Sequence, residues 1–328
     1  MVRAVFITIV LLILVVAVWA YVSYVTTVDI GDRVVSVVIA PGDSFEEIAR
    51  RLVDSGVVRS EVMLRYVAQR SGLDRKLIPG RYDFFGKNSC RSVLGKLDRG
   101  EVVTIRVTIY EGAPIWKVAS ILSRRMEVDS AEVVRLNRDP ALLAELGVPS
   151  LDGYLFPETY FFRWGTSTRD MLRTMVDMFH TKTDTIWPPS IPNGMSRQDV
   201  IVLASIVESE ALLDAEKPQI ASVYHNRIRD KMKLDADPTV IYALGGLTRP
   251  LTKRDLEIES PYNTYNRRGL PPTPINSPGL SAIRAALNPG LTDYFFFVAD
   301  GSGGHRFSRT NDEHNRVRQE IRRTARQK

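Results

Sequence analysis

The run Ser196–Ala211 of this 328-residue chain reads SRQDVIVLASIVESEA and ends in two carboxylates, Glu208 and Glu210. Ser196 is a helix cap, and Asp199 stands three residues on as its reciprocal partner. The eight residues Val200–Val207 then carry one polar side chain, Ser205. A helix apolar on every face belongs inside a core. At about 100° per residue, Glu208 shares a face with Ala204, Ser205 and Leu212, whereas Glu210 is about 200° away. The spacing therefore predicts that the two carboxylates do not share one site. One lines a cleft floored by apolar groups, and the other meets solvent or a salt bridge. Desolvation raises a carboxyl pKa, which is what a general acid needs to stay protonated near neutrality. Glu208, the first carboxylate after the buried stretch, is the candidate. The plain alternative is that it is merely the first exposed residue there.

Further polar clusters follow. His225-Asn226-Arg227 closes the next helix, and Asp235-Ala236-Asp237-Pro238 makes a turn before another short one. Tyr262-Asn263-Thr264-Tyr265, Asn276-Ser277-Pro278-Gly279 and Ala299–Phe307, which contains His305, are loops rich in Asn, Tyr, Thr, Pro and Gly. Upstream, Leu151–Tyr160 is an aromatic-rich segment that contains Glu158. Such loops suit a sugar cleft, because aromatic faces stack on pyranose rings and amides bond hydroxyl and acetamido groups. Other chemistries fit poorly. The four histidines form no HExxH or close pair, a lone Cys90 cannot build a thiolate metal site, and Gly301–Gly304 lacks the Lys-Ser/Thr of a phosphate loop. No metal and no cofactor are expected.

The elements that position these residues begin with an anchor. Ala4–Val25 is uncharged and almost wholly apolar. Its 22 residues reach roughly 33 Å as a helix, enough for a hydrocarbon core of about 30 Å. Arg3 lies before it, and Trp19, Tyr21 and Tyr24 lie at its far end. This predicts residues 1–3 in the cytoplasm, a single span over 4–25 and everything after it outside the cytoplasmic membrane. A cleaved signal peptide is the alternative. The chain holds 44 Lys+Arg against 38 Asp+Glu, net +6, and six of those cations against one Glu fall in 316–328. An exported protein with this topology has no nucleic-acid role.

After a linker over 26–34, a strand over 34–39, a Pro41-Gly42 turn and a helix with Phe45, Ile48, Ala49 and Leu52 at helical spacing form one unit. The pattern returns 70 residues later: Ile109, Gly112, Ile115, Val118, Ala119 and Leu122 match Ile39, Gly42, Phe45, Ile48, Ala49 and Leu52. The unit resembles LysM-like modules, which hold glycan chains, although two similar packing units without a ligand fit the same pattern. The expected fold class is α+β: a single N-terminal transmembrane helix, a small LysM-like α+β module over 35–105, an intermediate part over 106–195 and a mixed α+β catalytic core over 196–328.

From about residue 35 to 325 the chain resembles the MltG (YceG-like) family of endolytic murein transglycosylases. The residues that carry the resemblance are ASIVESEA (204–211), HNRIRDKMKLDADPTVIYALG (225–245), YNTYNRRGLPP (262–272), SPG (277–279) and FVADGSGGHRF (297–307), with EG at 111–112 and DGYLFPETY at 152–160 in support. The resemblance implies a lyase that cuts MurNAc–GlcNAc β-1,4 bonds of peptidoglycan without water and leaves 1,6-anhydroMurNAc ends. By position it puts the single acid/base on Glu208; with the polar and aromatic loops read as a sugar cleft, Glu158, Asn226, Asp237, Tyr262, Asn263, Thr264, Tyr265 and His305 are the expected substrate contacts. Asp237, Glu158 and Glu210 are the carboxylates to test against a hydrolytic alternative; a silent glycan-binding scaffold is the other competing reading. Ser209 stands where a Lys is common, and Leu234-Asp235-Ala236 replaces a more usual Leu-Gln-Ser/Thr, which puts fine substrate preference in doubt. Peptidoglycan strands and the membrane are the expected partners. A tethered wall enzyme also fits beside the cell-wall synthesis machinery in terminating glycan elongation, although no motif names a protein partner.

Overall fold

A computed structural model describes residues Val2–Gln327. The chain divides into two compact units, one formed by 1–105 with 161–166, the other by 106–160 with 167–328. The expected intermediate part and the carboxy-terminal core thus fall mostly within one unit.

The first unit opens with helix α1 (Val2–Val25). Its stretch Val5–Val25 is long and apolar enough to cross a membrane and mostly exposed, with Ala20 and Tyr24 packed against the core of this unit. It fits a membrane anchor, and a signal sequence meets the same test of length and composition. Beyond it come β1 (Val28–Asp29), β2 (Val35–Ile39), α2 (Phe45–Asp54), α3 (Glu61–Ser71), β3 (Gly80–Phe84), β4 (Lys87–Asn88) and α4 (Cys90–Asp98). Strands β2 and β3 pair antiparallel, with Val37 opposite Tyr82. Alternation along them turns Val35, Val37, Ile39, Tyr82 and Phe84 inward. That apolar face meets Phe45, Ile48, Ala49 and Leu52 of α2, whose start is fixed by a capping box between Ser44 and Glu47. Cys90 is buried in this core, and burial pushes its thiol up.

Strand β5 (Thr104–Thr108) leads into the second unit, which continues with α5 (Ile115–Met126), α6 (Ser130–Leu136), α7 (Pro140–Leu146) and the start of β6 (Thr159–Arg163), whose residues from 161 on belong to the first unit. The strand–turn–helix repeat is real at the local level. Ile115, Val118, Ala119 and Leu122 are buried as their counterparts in α2 are, and Gly42 and Gly112 both turn the chain at positive φ, +89° and +73°. The copies nevertheless belong to different units and different strand pairs, β2 with β3 and β5 with β6. The helical pattern over 130–146 is interrupted at Pro140, as that residue predicts from the sequence, and forms two helices. Asp139 caps the second one, and Pro140 occupies its first position, where its missing N–H costs nothing.

The rest of the unit is α8 (Thr168–Thr183), α9 (Arg197–Glu210), α10 (Lys217–Arg229), α11 (Asp237–Ala243), α12 (Leu280–Leu287), the hairpin β7 (Phe296–Ala299) and β8 (His305–Ser308), and α13 (Asn311–Gln327). Helices α9, α10 and α12 pack on one another. That is why all eight residues Val200–Val207 are buried: the helix has neighbours on every side.

Candidate active site

Helix α9 ends in the site, and its start fixes its register. Ser196 Oγ accepts from Asp199 N, while the Asp199 carboxylate accepts from Ser196 N at 2.9 Å. Ser205, the polar residue of the buried stretch, donates to Val202 O at 2.7 Å and accepts from Ile275 N at 3.1 Å. Asn276 Nδ2 donates to Ser205 O at 2.8 Å and to Ser209 Oγ at 2.7 Å. These bonds stitch the loop before α12 along the last two turns of α9.

At the end of α9 the two carboxylates part. Glu208 Oε1 accepts from Lys217 Nζ at 2.9 Å, and Oε2 accepts from Gly279 N at 2.9 Å. Lys217 also reaches Asp214 Oδ1 at 2.7 Å, Ser281 Oγ at 2.8 Å and Glu111 Oε2 at 3.9 Å. The Lys217 and Glu208 side chains are 3% and 8% exposed. Burial pulls the Lys217 ammonium down, but its bonds to Asp214 and Glu208 outweigh this and leave its pKa raised. Burial, helped by the nearby Glu208 charge and opposed by Lys217, raises Glu111. The Glu111 loop is pinned by Gly112 N to Ser277 O at 2.8 Å and Ser277 N to Ala113 O at 3.0 Å. Its carboxylate occupies the space a Cβ would need at Gly279, so a side chain there would displace Glu111.

Glu210 looks the other way. Its Oε1 accepts from the Tyr224 hydroxyl at 2.9 Å, and among the described residues no second hydrogen bond reaches the carboxyl. It lines a cavity of about 480 Å³ with Tyr224, Asp237, Tyr265, His305 and His314. Burial pushes Glu210 up to about 7; the Tyr224 bond opposes this and the Asp237 charge adds to it. Tyr265 donates to Asp237 Oδ1 at 2.6 Å. His305 is clamped by Glu216, which accepts from its backbone N at 2.9 Å and pairs with its Nδ1 at 2.7 Å.

The two carboxylates occupy separate environments, as the helix spacing predicts. Glu208 is the one that meets a salt bridge, to Lys217. Glu210 is the one whose pKa burial raises. The wheel angle separates the two correctly. It carries no information about Lys217, which opens α10 beneath Glu208, or about Tyr224, seven residues and two turns further along the same helix.

Of the other expected site residues, Asp237, Tyr265 and His305 gather around the Glu210 cavity. Asn226, Asn263 and Thr264 are buried and engaged with protein. Asn226 Nδ2 donates to Thr292 O and Tyr294 O, Asn263 Nδ2 to Leu256 O and Ile258 O, and Thr264 Oγ1 accepts from Ala236 N. Tyr262 bonds Thr273 Oγ1 at 2.6 Å, and its ring lies 4.8 Å from that of Tyr242. Glu158 pairs with Lys182 at 3.4 Å, and its bond to Thr159 N lowers its pKa. Lys217, Tyr224 and Glu216 escaped sequence reasoning. Glu111 and Gly279 were visible only as parts of motifs. Asp152, pushed up to about 6 by burial, is a further acid, tied to Ile115 N, Asn137 and the Tyr242 hydroxyl.

One buried helix thus delivers an ion-paired carboxylate and a desolvated one to a polar region of the unit. Residues 37–320 match the YceG-like family, and the chain belongs to that family. It is 31% identical over 303 residues to an endolytic murein transglycosylase of Bacillus subtilis (strain 168), covering 87% of this chain and 84% of that protein. A protein of the same name from Streptococcus pneumoniae (strain D39) is 26% identical over 314 residues, 86% of this chain and 57% of the relative. The crystal structure of a putative yceG-like protein from Listeria monocytogenes superposes with a TM-score of 0.57 at 30% identity, over 86% of this chain and 98% of that one.

Proposed function

We propose that this protein is a membrane-tethered lyase that cuts peptidoglycan glycan strands internally at MurNAc–GlcNAc β-1,4 bonds, with Glu210 as its acid and base. The observation that carries this reading is the Glu210 carboxyl, pushed up to about 7 inside an open polar cavity. A carboxyl in that range holds a proton near neutrality and gives it to the glycosidic oxygen as the bond to C1 breaks. The C6 hydroxyl of the same MurNAc attacks C1, and the Glu210 carboxylate takes its proton, leaving a 1,6-anhydro end. The substrate supplies the nucleophile, so one protein carboxyl suffices. Sequence position favours Glu208 for this role; the occupation of both its oxygens by Lys217 and Gly279 N favours Glu210. Glu208, which sequence position favours, is the second reading for the acid and base; loss of cleavage in Glu208→Gln with Glu210→Gln still active decides for it.

Asp237 lies close enough to raise Glu210 and lines the same cavity, which supports hydrolysis as the second reading. The module over 35–105 holds glycan in this scheme, and the anchor keeps the active unit on the outer face of the cytoplasmic membrane, where it ends nascent strands during wall growth. Purified strands with products resolved by mass spectrometry test the proposal. 1,6-AnhydroMurNAc ends, lost in Glu210→Gln, are expected. Reducing MurNAc ends indicate hydrolysis, and full activity in Glu210→Gln overturns the assignment.

A further inference from the structure

Beside the Glu111 loop lies a cavity of about 750 Å³ lined by Arg106, Thr108, Tyr110, Ile121, Arg124 and Arg125. Arg106 and Thr108 come from β5, and Arg124 and Arg125 from the last turn of α5. Several arginines elsewhere have carboxylate partners, as in Arg169–Asp139 at 2.8 Å and Arg249–Asp255 at 2.6 Å. Among the described residues these three form no ion pair, and Arg124 spends only its Nε, on Ser120 O at 3.2 Å. Like charges converging on one cavity repel, and an anion relieves that repulsion. The planar guanidinium fork matches carboxylate oxygens two at a time. The cavity is larger than one ion needs and falls in the range of about 300–1,000 Å³ typical of small-ligand sites. Ile121 adds apolar surface, and the Tyr110 ring is 50% exposed. Those features suit a short, acidic, partly apolar chain.

Position narrows the ligand further. Tyr110 lines this cavity, and two residues on, a Cβ built at Gly112 would stand 3.5 Å from Glu208 Cγ. Three residues of chain span at most about 10 Å. The arginine cavity therefore opens within a few residues of the helix end that carries Glu208 and Glu210. We infer that it receives the free carboxylates of the peptide stems borne by the glycan strand, so that the enzyme selects strands still carrying peptides. This rests on murein being the substrate, as proposed above.

The test uses the full chain in detergent and two substrates: strands with their peptides, and the same strands stripped by an amidase. The wild type is expected to favour peptide-bearing strands about tenfold in kcat/KM, the scale of one charge-assisted bond. In Arg106→Gln/Arg124→Gln/Arg125→Gln the ratio falls toward one through KM. The corresponding triple Lys variant, which keeps charge and loses the fork, lies between. Calorimetric titration with a soluble muramyl pentapeptide reads the cavity without cleavage: Glu210→Gln is expected to bind it, and the triple Gln change in that background to abolish binding. If no strand is cut by any form, the proposed reaction fails while this titration still decides the cavity. Equal rates of the wild type on both strands, or peptide binding unchanged by the triple Gln change, overturn the inference. So does a triple variant that loses only its affinity for phosphatidylglycerol vesicles, because the cavity then serves lipid phosphate.

Discussion

Two carboxylates one residue apart, Glu208 and Glu210, end the same helix in opposite conditions. Glu208 faces an ammonium and a backbone N–H, with three carboxylates sharing one buried lysine. Glu210 faces a tyrosine hydroxyl and an open cavity. Both groups are largely removed from bulk water, and what separates them is a direct ion pair. Glu208 bonds the Lys217 ammonium at 2.9 Å. Glu210 has a hydroxyl as its hydrogen-bond partner, and burial pushes it up to about 7 even though the Arg227 charge opposes the shift.

The largest expected effect comes from breaking each side in turn. Glu210→Gln should lower strand cleavage by about 10²–10⁴-fold, the usual share of general acid–base catalysis, with little change in melting temperature. Lys217→Met should do the reverse. It leaves Glu208 buried without its cation, so stability should fall by about 3–5 kcal/mol in thermal or denaturant unfolding. A Lys217→Met protein that melts like the wild type would dissolve the distinction between the two sides.

The pH response comes next. Glu210 is raised from 4.5 to about 7 on folding, so between those values the folded state binds more protons than the unfolded state. Its contribution to stability is present below about 4.5 and is lost as pH rises through about 7. Asp152, raised from 3.8 to about 6, adds a slope of the same sign. Glu210→Gln should therefore flatten, without abolishing, the fall in stability across this window, as read by melting temperature against pH. In the wild type the rate should decline on the alkaline side near 7, as the acid loses its proton. The smallest effect is Tyr224→Phe. It removes the hydrogen bond that lowers Glu210, so the alkaline limb of kcat/KM should shift to higher pH. A shift to lower pH would mean that the hydroxyl does not favour the carboxylate.

Much of the framework was legible because it depends on local pattern. The capping box at Ser196, the buried run to Val207, the break at Pro140 and the paired strand–glycine–helix units all follow from residues a few positions apart. The site was legible as far as the helix that carries it and the loops around it. The contacts that distinguish Glu208 from Glu210 come from Lys217 and Tyr224, whose reach is set by how α10 packs on α9, and periodicity along one helix does not encode that. The Asn and Thr residues of the 262–265 motif read as ligand contacts for a similar reason. Their type suits sugars, but the fold uses Asn263 and Thr264 to satisfy buried backbone groups.

The stitching of the 275–279 loop to α9 has a mechanical consequence. Ile275, Asn276 and Gly279 bond Ser205, Ser209 and Glu208 at intervals of about one turn along the helix. A strap fastened at several points has no hinge, so loop and helix move as one splint. A polymer engaged in mid-strand then enters a groove whose wall is already set, and binding energy need not be spent on shaping it.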